Sequence, residues 1–131
     1  MNLSRTMPCA LLLVGILSSC LTVPEEGGNP LDPLSPNYVP TSPLVYAYTV
    51  ASKSVQVTWS DRSLGETGFE IVRSEQISSG YVQRARVPAD ETVYLDTDTS
   101  FVSGRTYYYR VRAFTKTAFG SYSNESVVVM P

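Results

Sequence analysis

The sequence contains no histidine, so it lacks the side chain that most often acts as a general base or a metal ligand in proteins. Serine or cysteine nucleophiles that depend on histidine are therefore excluded. Its two cysteines, Cys9 and Cys20, both lie near the amino terminus. Because no thiol follows Cys20, the rest of the chain has neither a disulfide nor a cysteine nucleophile. We expect a domain held together by apolar burial and backbone pairing alone.

Positive charge is also scarce. The chain has 10 lysine and arginine residues against 12 aspartate and glutamate residues, which gives a formal net charge of −2. Nucleic-acid binding needs a concentrated basic patch, and a mildly acidic chain does not provide one. We therefore expect no nucleic-acid partner. No motif in the sequence points to a cofactor, and we predict none.

A hydrophobic run long enough to span a membrane is missing as well. The aliphatic stretch at residues 10–16 is far shorter than the ~20 residues that a transmembrane helix needs. It follows Arg5 and ends in small residues, a pattern typical of a cleaved export signal. The ending Leu17-Ser18-Ser19-Cys20 resembles the lipobox of bacterial lipoproteins. That resemblance implies a signal peptide at residues 1–19 and a lipidated Cys20 as the mature amino terminus.

The same resemblance predicts where the protein lies. It implies a lipid-anchored protein of the bacterial cell envelope, either periplasmic or surface-exposed. Leu21 follows the lipidated cysteine, where the enterobacterial signal for retention at the inner membrane is usually aspartate. Delivery to the outer membrane is therefore favoured if the bacterium is Gram-negative. Cleavage would remove Arg5 and no acid, which shifts the net charge to −3.

Residues 20–43 form a proline-rich segment without apolar periodicity. Proline removes backbone donors and disfavours helix at the preceding residue, so neither a helix nor a central strand is expected here. The sequence predicts a semi-rigid spacer that does not pack on the domain, reaching at most ~3.1 Å per residue. The prolines are Pro24, Pro30, Pro33, Pro36, Pro40 and Pro43.

Alternating apolar and polar residues run through residues 44–131. One such stretch has Val55, Val57 and Trp59 on one side, and another has Phe69 and Ile71. Similar patterns occur at residues 85–87, 107–113 and 127–129, separated by turn signals. Alternation with period two indicates half-buried strands, and no window shows sustained helical periodicity. The sequence therefore predicts an all-β, antiparallel β-sandwich.

Several motifs in this stretch resemble those of a fibronectin type III domain. Trp59 ends the second strand, residues 66–71 (ETGFEI) are similar to the family's entry to strand C, and residues 101–107 (FVSGRTY) resemble its tyrosine corner. The resemblance implies an immunoglobulin-like sandwich of seven antiparallel strands in two sheets. It also implies that Tyr107 is buried with its hydroxyl bonded to nearby backbone, and that the domain has no catalytic activity. The family's integrin-binding Arg-Gly-Asp tripeptide is absent from residues 116–120.

Two aspartates invite a calcium interpretation. Asp96, Asp98 and Ser100 match the start of a D-x-D-x-S calcium loop. The glycine expected at the sixth position is Phe101, and the glutamate expected at the twelfth is Tyr107. We interpret this stretch as an ordinary polar turn and predict no metal site.

Two surfaces are candidates for partner contacts. One is the predicted sheet that contains residues 69–72 and 107–113, where a group of outward polar residues either forms cross-strand ion pairs or makes up a binding face. At one end of the sandwich, Phe119 lies in a loop, where it either contacts a partner or packs over the end. The possible partner contacts are Phe119, Tyr108, Arg110 and Arg84. Glu70, Arg86 and Arg112 are expected to point outward from the same sheet as Tyr108, Arg110 and Arg84.

Taken together, these patterns predict a non-catalytic envelope lipoprotein. Its fibronectin type III-like domain (residues 44–131) is expected to be monomeric and to bind or adhere to a protein or a glycan. One alternative is a structural spacer or an assembly subunit of an envelope complex that docks through a sheet edge. Another is an enzyme of unrecognised type.

Overall fold

The computed structural model describes residues 30–35 and 38–131. The predicted signal peptide, Cys20 and the first part of the predicted spacer lie outside the described residues. Seven strands make up the regular structure of the described part, where no helix is long and apolar enough to cross a membrane. The strands are β1 (Leu44–Ala51), β2 (Ser54–Ser60), β3 (Gly68–Ser74), β4 (Val82–Pro88), β5 (Val93–Thr97), β6 (Thr106–Phe114) and β7 (Ser126–Val129).

The strands form two sheets, with the orders β1-β2-β5 and β4-β3-β6-β7. Every pair of neighbours is antiparallel. Buried and exposed residues alternate along β2 and β6, because successive side chains of a strand point to opposite faces. The prediction of an all-β, seven-stranded, immunoglobulin-like antiparallel sandwich is confirmed.

The core lies between the two sheets and is rich in aromatic side chains. Trp59 is 5% exposed and its ring centroid lies 5.5 Å from that of Phe69. Tyr107 is 1% exposed, packs edge-on against Phe101, and its hydroxyl oxygen accepts a hydrogen bond from the Val102 backbone N–H at 3.1 Å. The predicted burial of Trp59 and the predicted hydroxyl contact of Tyr107 are both confirmed.

The outer edge of β1 is closed by side chains that precede or begin β7. Asn124 accepts a hydrogen bond from the Val45 N–H at 2.9 Å and donates one to the Val45 carbonyl at 3.0 Å. Ser126 Oγ accepts a hydrogen bond from the Ala47 N–H at 2.8 Å. Because these backbone groups already have partners, this edge is protected against the addition of another strand.

The described part of the predicted spacer does pack on the domain. Tyr38 is 7% exposed, and its hydroxyl oxygen accepts a hydrogen bond from the Leu64 N–H at 2.9 Å. Ser63 Oγ donates to the Thr41 carbonyl at 2.9 Å. At Gly120, a Cβ would lie only 2.5 Å from the Pro40 carbonyl oxygen, so this glycine allows the close approach of the segment.

For residues 38–43, the expectation of an unpacked spacer is therefore wrong. Proline does remove ladder hydrogen bonds, but its ring and the Tyr38 side chain still supply apolar surface that can be buried. These residues lie against the loop between β2 and β3 (residues 61–67) and against Gly120. We call this end of the sandwich, where the chain enters, the tether end.

Candidate binding surfaces

The outward face of the four-stranded sheet carries a buried carboxylate between two arginines. Glu70 on β3 is directly opposite Arg86 on β4 and Arg112 on β6. Its carboxylate, 4% exposed as a residue, accepts hydrogen bonds from Arg86 Nη2 at 3.1 Å and from Arg112 Nε at 2.6 Å. Opposite charges facing each other across strands stabilise a sheet. The cross-strand pairing expected from the sequence is confirmed for these two arginines.

Aromatic rings cover the same two guanidinium groups. Arg112 lies 3.8 Å from the ring centroid of Phe119 and 4.5 Å from that of Tyr122, and Arg86 lies 5.1 Å from that of Phe114. Such cation–π contacts contribute about 0.5–1 kcal/mol each at exposed sites. Phe119 therefore packs on the arginines of this sheet, although 46% of its surface is still exposed.

A third arginine of this sheet also has its own partners. Arg110 forms an ion pair with Glu125 at 3.3 Å and lies over the ring of Tyr81. Burial alone would raise the pKa of Glu125, but hydrogen bonds from the Tyr81 hydroxyl and the Ser78 N–H lower it. We call this set of outward side chains the charged face; it comprises Glu70, Arg86, Arg110, Arg112 and Glu125 with the rings of Tyr81, Phe114, Phe119 and Tyr122.

Arg84 does not belong to the charged face, which corrects the sequence prediction. The pairing of β3 with β4 shifts between Ile71 and Val72, so Arg84 is an extra residue in β4. Its guanidinium lies 3.2 Å from Asp96 Oδ1 and 3.0 Å from Asp98 Oδ2. The expectation that Arg84 points outward is wrong because the bulge redirects it toward the opposite sheet.

Those two aspartates belong to an ionic cluster that joins the two sheets. Asp96 is fully buried and accepts hydrogen bonds from Arg73 Nη1 at 2.8 Å and from the Tyr109 hydroxyl at 2.9 Å. Arg73 Nη2 also binds Asp98 at 2.8 Å and holds the pKa of that carboxyl well below its usual range. Burial raises the pKa of the Tyr109 hydroxyl, and the charge of Asp96 raises it further.

Sequence reasoning missed this cluster. Alternation from Phe69 and Ile71 was a signal for an inward Arg73, whereas the bulge that turns Arg84 inward has no such signal. An open cleft of about 330 Å³ lies beside it, with Arg73, Ser74, Gly80, Val82 and Arg84 among its lining residues. Since the two aspartates pair with the two arginines, the cluster has no net charge to offer a charged ligand. Its geometry fits a structural link between the sheets.

The tether end carries several acidic side chains. Burial raises the pKa of Glu66, and the charge of Asp61 raises it further. Within residues 30–35 and 38–131, no group of three or more acidic, histidine or cysteine side chains is placed to hold a metal ion. The described part of the spacer covers one side of this end through Tyr38 and Pro40.

The four contact residues predicted from the sequence therefore lie in different settings. Arg84 belongs to the ionic cluster, whereas Arg110 and Phe119 pack within the charged face. Tyr108 is half-buried on β6, opposite Val127 of β7. Their role in binding a partner stays a prediction, and intramolecular contacts already occupy three of the four.

The outward face of the three-stranded sheet has a different character. Tyr46 is 66% exposed and Leu95 is 52% exposed, yet both lie on regular strands. The ring centroids of Tyr46 and Tyr48 lie 5.7 Å apart. We call this surface the uncharged face; its side chains are Leu44, Tyr46, Tyr48, Ser54, Gln56, Thr58, Ser60, Val93, Leu95 and Thr97, none of which carries a charge.

Strand register arranges this face in columns and rows. Tyr46 on β1 pairs with Thr58 on β2, which pairs with Val93 on β5, and the next row is Tyr48, Gln56 and Leu95. The β1 column is therefore aromatic, the central β2 column is polar, and the β5 column is aliphatic. Sequence reasoning missed this surface, although the alternation of residues 44–48 around Val45 and Ala47 was a signal for it.

No protein-family model and no curated protein matches this sequence. Among solved structures, a fibronectin type III-like protein from Clostridium thermocellum is 24% identical, with a TM-score of 0.59 over 70% of this chain and 94% of that chain. Domains A168–A170 of titin are 22% identical, with a TM-score of 0.60 over 70% of this chain and 32% of that one. A β-1,2-glucanase from Parabacteroides distasonis is 18% identical, with a TM-score of 0.57 over 70% of this chain and 13% of the enzyme.

These likenesses establish the fold of the chain. It has the fibronectin type III fold, as the sequence motifs predicted. The match to the glucanase covers a small part of that enzyme, so it concerns a single sandwich and not the whole chain.

Proposed function

We propose that this protein is a non-catalytic binding module, lipid-anchored in a bacterial cell envelope through Cys20, that uses its uncharged face to contact a protein partner. The observation that carries the proposal is the exposure of that face. Tyr46 on β1 is 66% exposed, and Leu95 and Val93 on β5 are 52% and 45% exposed, on either side of the central strand β2. Several exposed apolar side chains on one face of a domain are typical of an interaction site.

The charged face supports the choice by contrast. Its arginines already have carboxylates and aromatic rings as partners. A partner that used them would have to displace contacts that the domain makes by itself. The side chains of the uncharged face have fewer partners to lose, so a protein that covers them gains apolar burial at little cost.

An aromatic and aliphatic surface also favours a protein over a glycan as the partner. Interfaces between proteins are enriched in tyrosine and depleted in charge at their centres. The closed edge of β1, held by Asn124 and Ser126, disfavours docking by strand addition at that edge. The face of the sheet, and not its β1 edge, is therefore the surface that we assign to binding.

The anchor agrees with the position of the tether end. Cys20 precedes Pro30 by ten residues. Even a fully extended chain of that length spans only about 35 Å, at 3.3–3.6 Å per residue. A lipidated Cys20 would therefore hold the tether end near the membrane and leave the outward faces of both sheets accessible from the side.

The anchor is tested by replacing Cys20. Acyl chains contribute ~0.8 kcal/mol per buried CH₂ group, so a multiply acylated amino terminus binds a membrane firmly. We expect the wild-type protein to need detergent for extraction, and the Cys20→Ala variant either to fractionate without detergent or to remain uncleaved. A wild-type protein that is soluble without detergent would rule out the anchor.

The face is tested by site-specific photocrosslinking in intact envelopes. A photoreactive phenylalanine analogue replaces Tyr46 in one variant and Tyr108 in another, so that the same chemistry probes the two opposite sheets. We expect protein adducts from position 46 and none from position 108. Adducts from position 108 alone would assign binding to the four-stranded sheet, and glycan adducts at position 46 would replace the protein partner.

A further inference from the structure

We infer that the partner of the uncharged face is a second copy of this chain, packed sheet against sheet around a twofold axis that runs parallel to the strands. This inference rests on the proposed function, since it names the partner of the same face. It replaces the monomeric domain that the sequence predicted. Three features of the face carry it: its columns, its lack of charge and its relation to the tether end.

The columns make the face complementary to itself. A twofold axis along the central strand β2 places the β1 strand of one copy over the β5 strand of the other. Tyr46 then lies over Val93 of the second copy and Tyr48 over Leu95, because each pair shares a row of the sheet. The same two contacts recur on the other side of the axis, as twofold symmetry requires.

The central column is compatible with this arrangement. Gln56 and Thr58 of one copy would meet Gln56 and Thr58 of the other near the axis. A glutamine amide carries both donors and an acceptor, so two copies of Gln56 can hydrogen-bond to each other. The polar column therefore need not leave buried groups without partners when the two sheets pack about 10 Å apart.

The lack of charge removes the usual obstacle to self-association. In a twofold interface the same surface of both copies is in contact. A charged side chain near the axis therefore lies close to the identical side chain of the second copy, and the two repel each other. The outward side chains of β1, β2 and β5 carry none. The charged face, with its paired arginines and its two outward glutamates, lacks this property.

The axis also fits attachment to one membrane. Rotation about an axis parallel to the strands leaves both tether ends on the same side of the dimer. Two Cys20 anchors could then enter the same bilayer. A twofold axis across the strands would instead place the two tether ends on opposite sides and would stack β1 over β1.

A glycan fits the face less completely. Sugar hydroxyls could bond to Gln56 and Thr58, and a sugar ring could stack on Tyr46. The aliphatic column of Val93 and Leu95, however, would gain little from a hydroxyl-rich ligand. A second copy covers both outer columns with apolar partners, which is why we commit to it.

The first experiment crosslinks the full-length protein in membranes of the bacterium that produces it. Gln56→Cys places a thiol next to the proposed axis, and Val127→Cys places one on the opposite sheet, where Val127 is 55% exposed. The chain without either substitution has no cysteine after Cys20, so it is the control for crosslinking through Cys20 itself. With a short bismaleimide, we expect covalent dimers from Gln56→Cys and only background from the other two proteins.

Adding a charge to each sheet provides the matched test. In the Gln56→Cys background, Leu95→Lys should reduce the crosslinked dimer to background, whereas Val127→Lys should leave it unchanged. Equal loss in both variants, or no crosslink at position 56 at any expression level, would overturn the dimer. Adducts to a different protein at position 56, without dimers, would overturn the dimer and keep the proposed binding face.

Complementary charges test the orientation. In the Gln56→Cys background, Tyr46→Lys and Val93→Glu should each abolish the crosslink when expressed alone. Co-expressed, they should restore it, because the mixed dimer has one Lys–Glu contact and one unchanged Tyr–Val contact. Failure of the mixture to restore dimers, although the chain without these two substitutions forms them, would overturn the twofold axis parallel to the strands.

Discussion

The two outward faces of this sandwich differ in how many contacts their side chains already make within the domain. On the charged face, Glu70 lies between Arg86 and Arg112, and Phe119 stacks over both guanidinium groups. On the uncharged face, Tyr46 and Leu95 are more than half exposed. The residue types most often associated with binding are therefore not sufficient to identify the binding surface. What matters is whether their contacts are already made.

The comparison also separates stability from association. A substitution on the charged face removes contacts within one domain and should lower the free energy of unfolding. A substitution on the uncharged face removes few internal contacts and should alter association instead. The ionic cluster of Arg73, Arg84, Asp96 and Asp98 lies between the two sheets and should affect stability more than either face.

The largest effect is expected at the ionic cluster. Asp96→Ala should lower the free energy of unfolding by ~3–5 kcal/mol, because it removes the buried carboxylate that pairs with Arg73 and Arg84 and leaves Asp98 alone to balance two arginines. Urea unfolding followed by the fluorescence of Trp59 measures this loss. Asp96→Asn is the control of equal size and should lose less. A loss of about 0.5 kcal/mol or less, typical of surface substitutions, would contradict the structural role of the cluster.

A pair of opposite substitutions tests the contrast between the faces directly. Glu70→Gln should cost ~1.5–3 kcal/mol, the range for hydrogen bonds to charged groups, because two arginines lose their carboxylate. Gln56→Glu makes the reverse change on the uncharged face and should stay within about 0.5 kcal/mol of the wild type. Both are measured by urea unfolding at low protein concentration, where the monomer is compared. If both variants lost the same free energy of unfolding, side chains on the two faces would be making equally strong contacts within the domain.

A smaller effect should depend on pH. Arg73 lowers the native pKa of Asp98, so the unfolded chain takes up a proton at higher pH than the folded domain does. The stabilisation is therefore complete above the unfolded value of about 3.9 and is lost as the pH falls toward the native pKa. Asp98→Asn should be less stable than the wild type near neutral pH, and the difference should narrow in acid. A difference that is constant from neutral pH into acid would contradict this pairing.

The smallest effects should come from single exposed side chains. Phe119→Ser removes cation–π contacts with Arg86 and Arg112, each worth about 0.5–1 kcal/mol, and should lower the melting temperature slightly. Leu95→Ser, on the uncharged face, should change the stability of the monomer by less than about 0.5 kcal/mol. Differential scanning calorimetry at low protein concentration compares the two. If Leu95→Ser proved the more destabilising, the two faces would have been assigned the wrong roles.

Much of the fold follows from the sequence because period-two alternation is a local property. Trp59 and Tyr107 were placed in the core on the strength of alternation and a tyrosine-corner motif, and both are buried. The pairing of Glu70 with Arg86 and Arg112 also followed once the strands had been aligned as neighbours. These inferences needed only strand order and the direction of each side chain.

Predictions failed where a residue's direction depended on a distant contact. The β4 bulge that turns Arg84 toward Asp96 has no clear local signature, so Arg84 was expected to point outward. The proline-rich segment was expected to stay clear of the domain, yet Tyr38 is buried against the loop that contains Leu64. In both cases a long-range contact outweighed a local preference.

Composition and periodicity by themselves determined that this chain forms a disulfide-free, antiparallel β-sandwich without histidine chemistry, because residue types and alternation are fixed by the chain alone. They also provided the lipobox-like motif on which the proposed anchor rests. Only the tertiary structure decided which outward side chains are covered by contacts within the domain and which are left exposed. Exposure is a property of all the contacts together, such as those of Phe119 and Tyr122 with Arg112, and these contacts are made only when the chain folds.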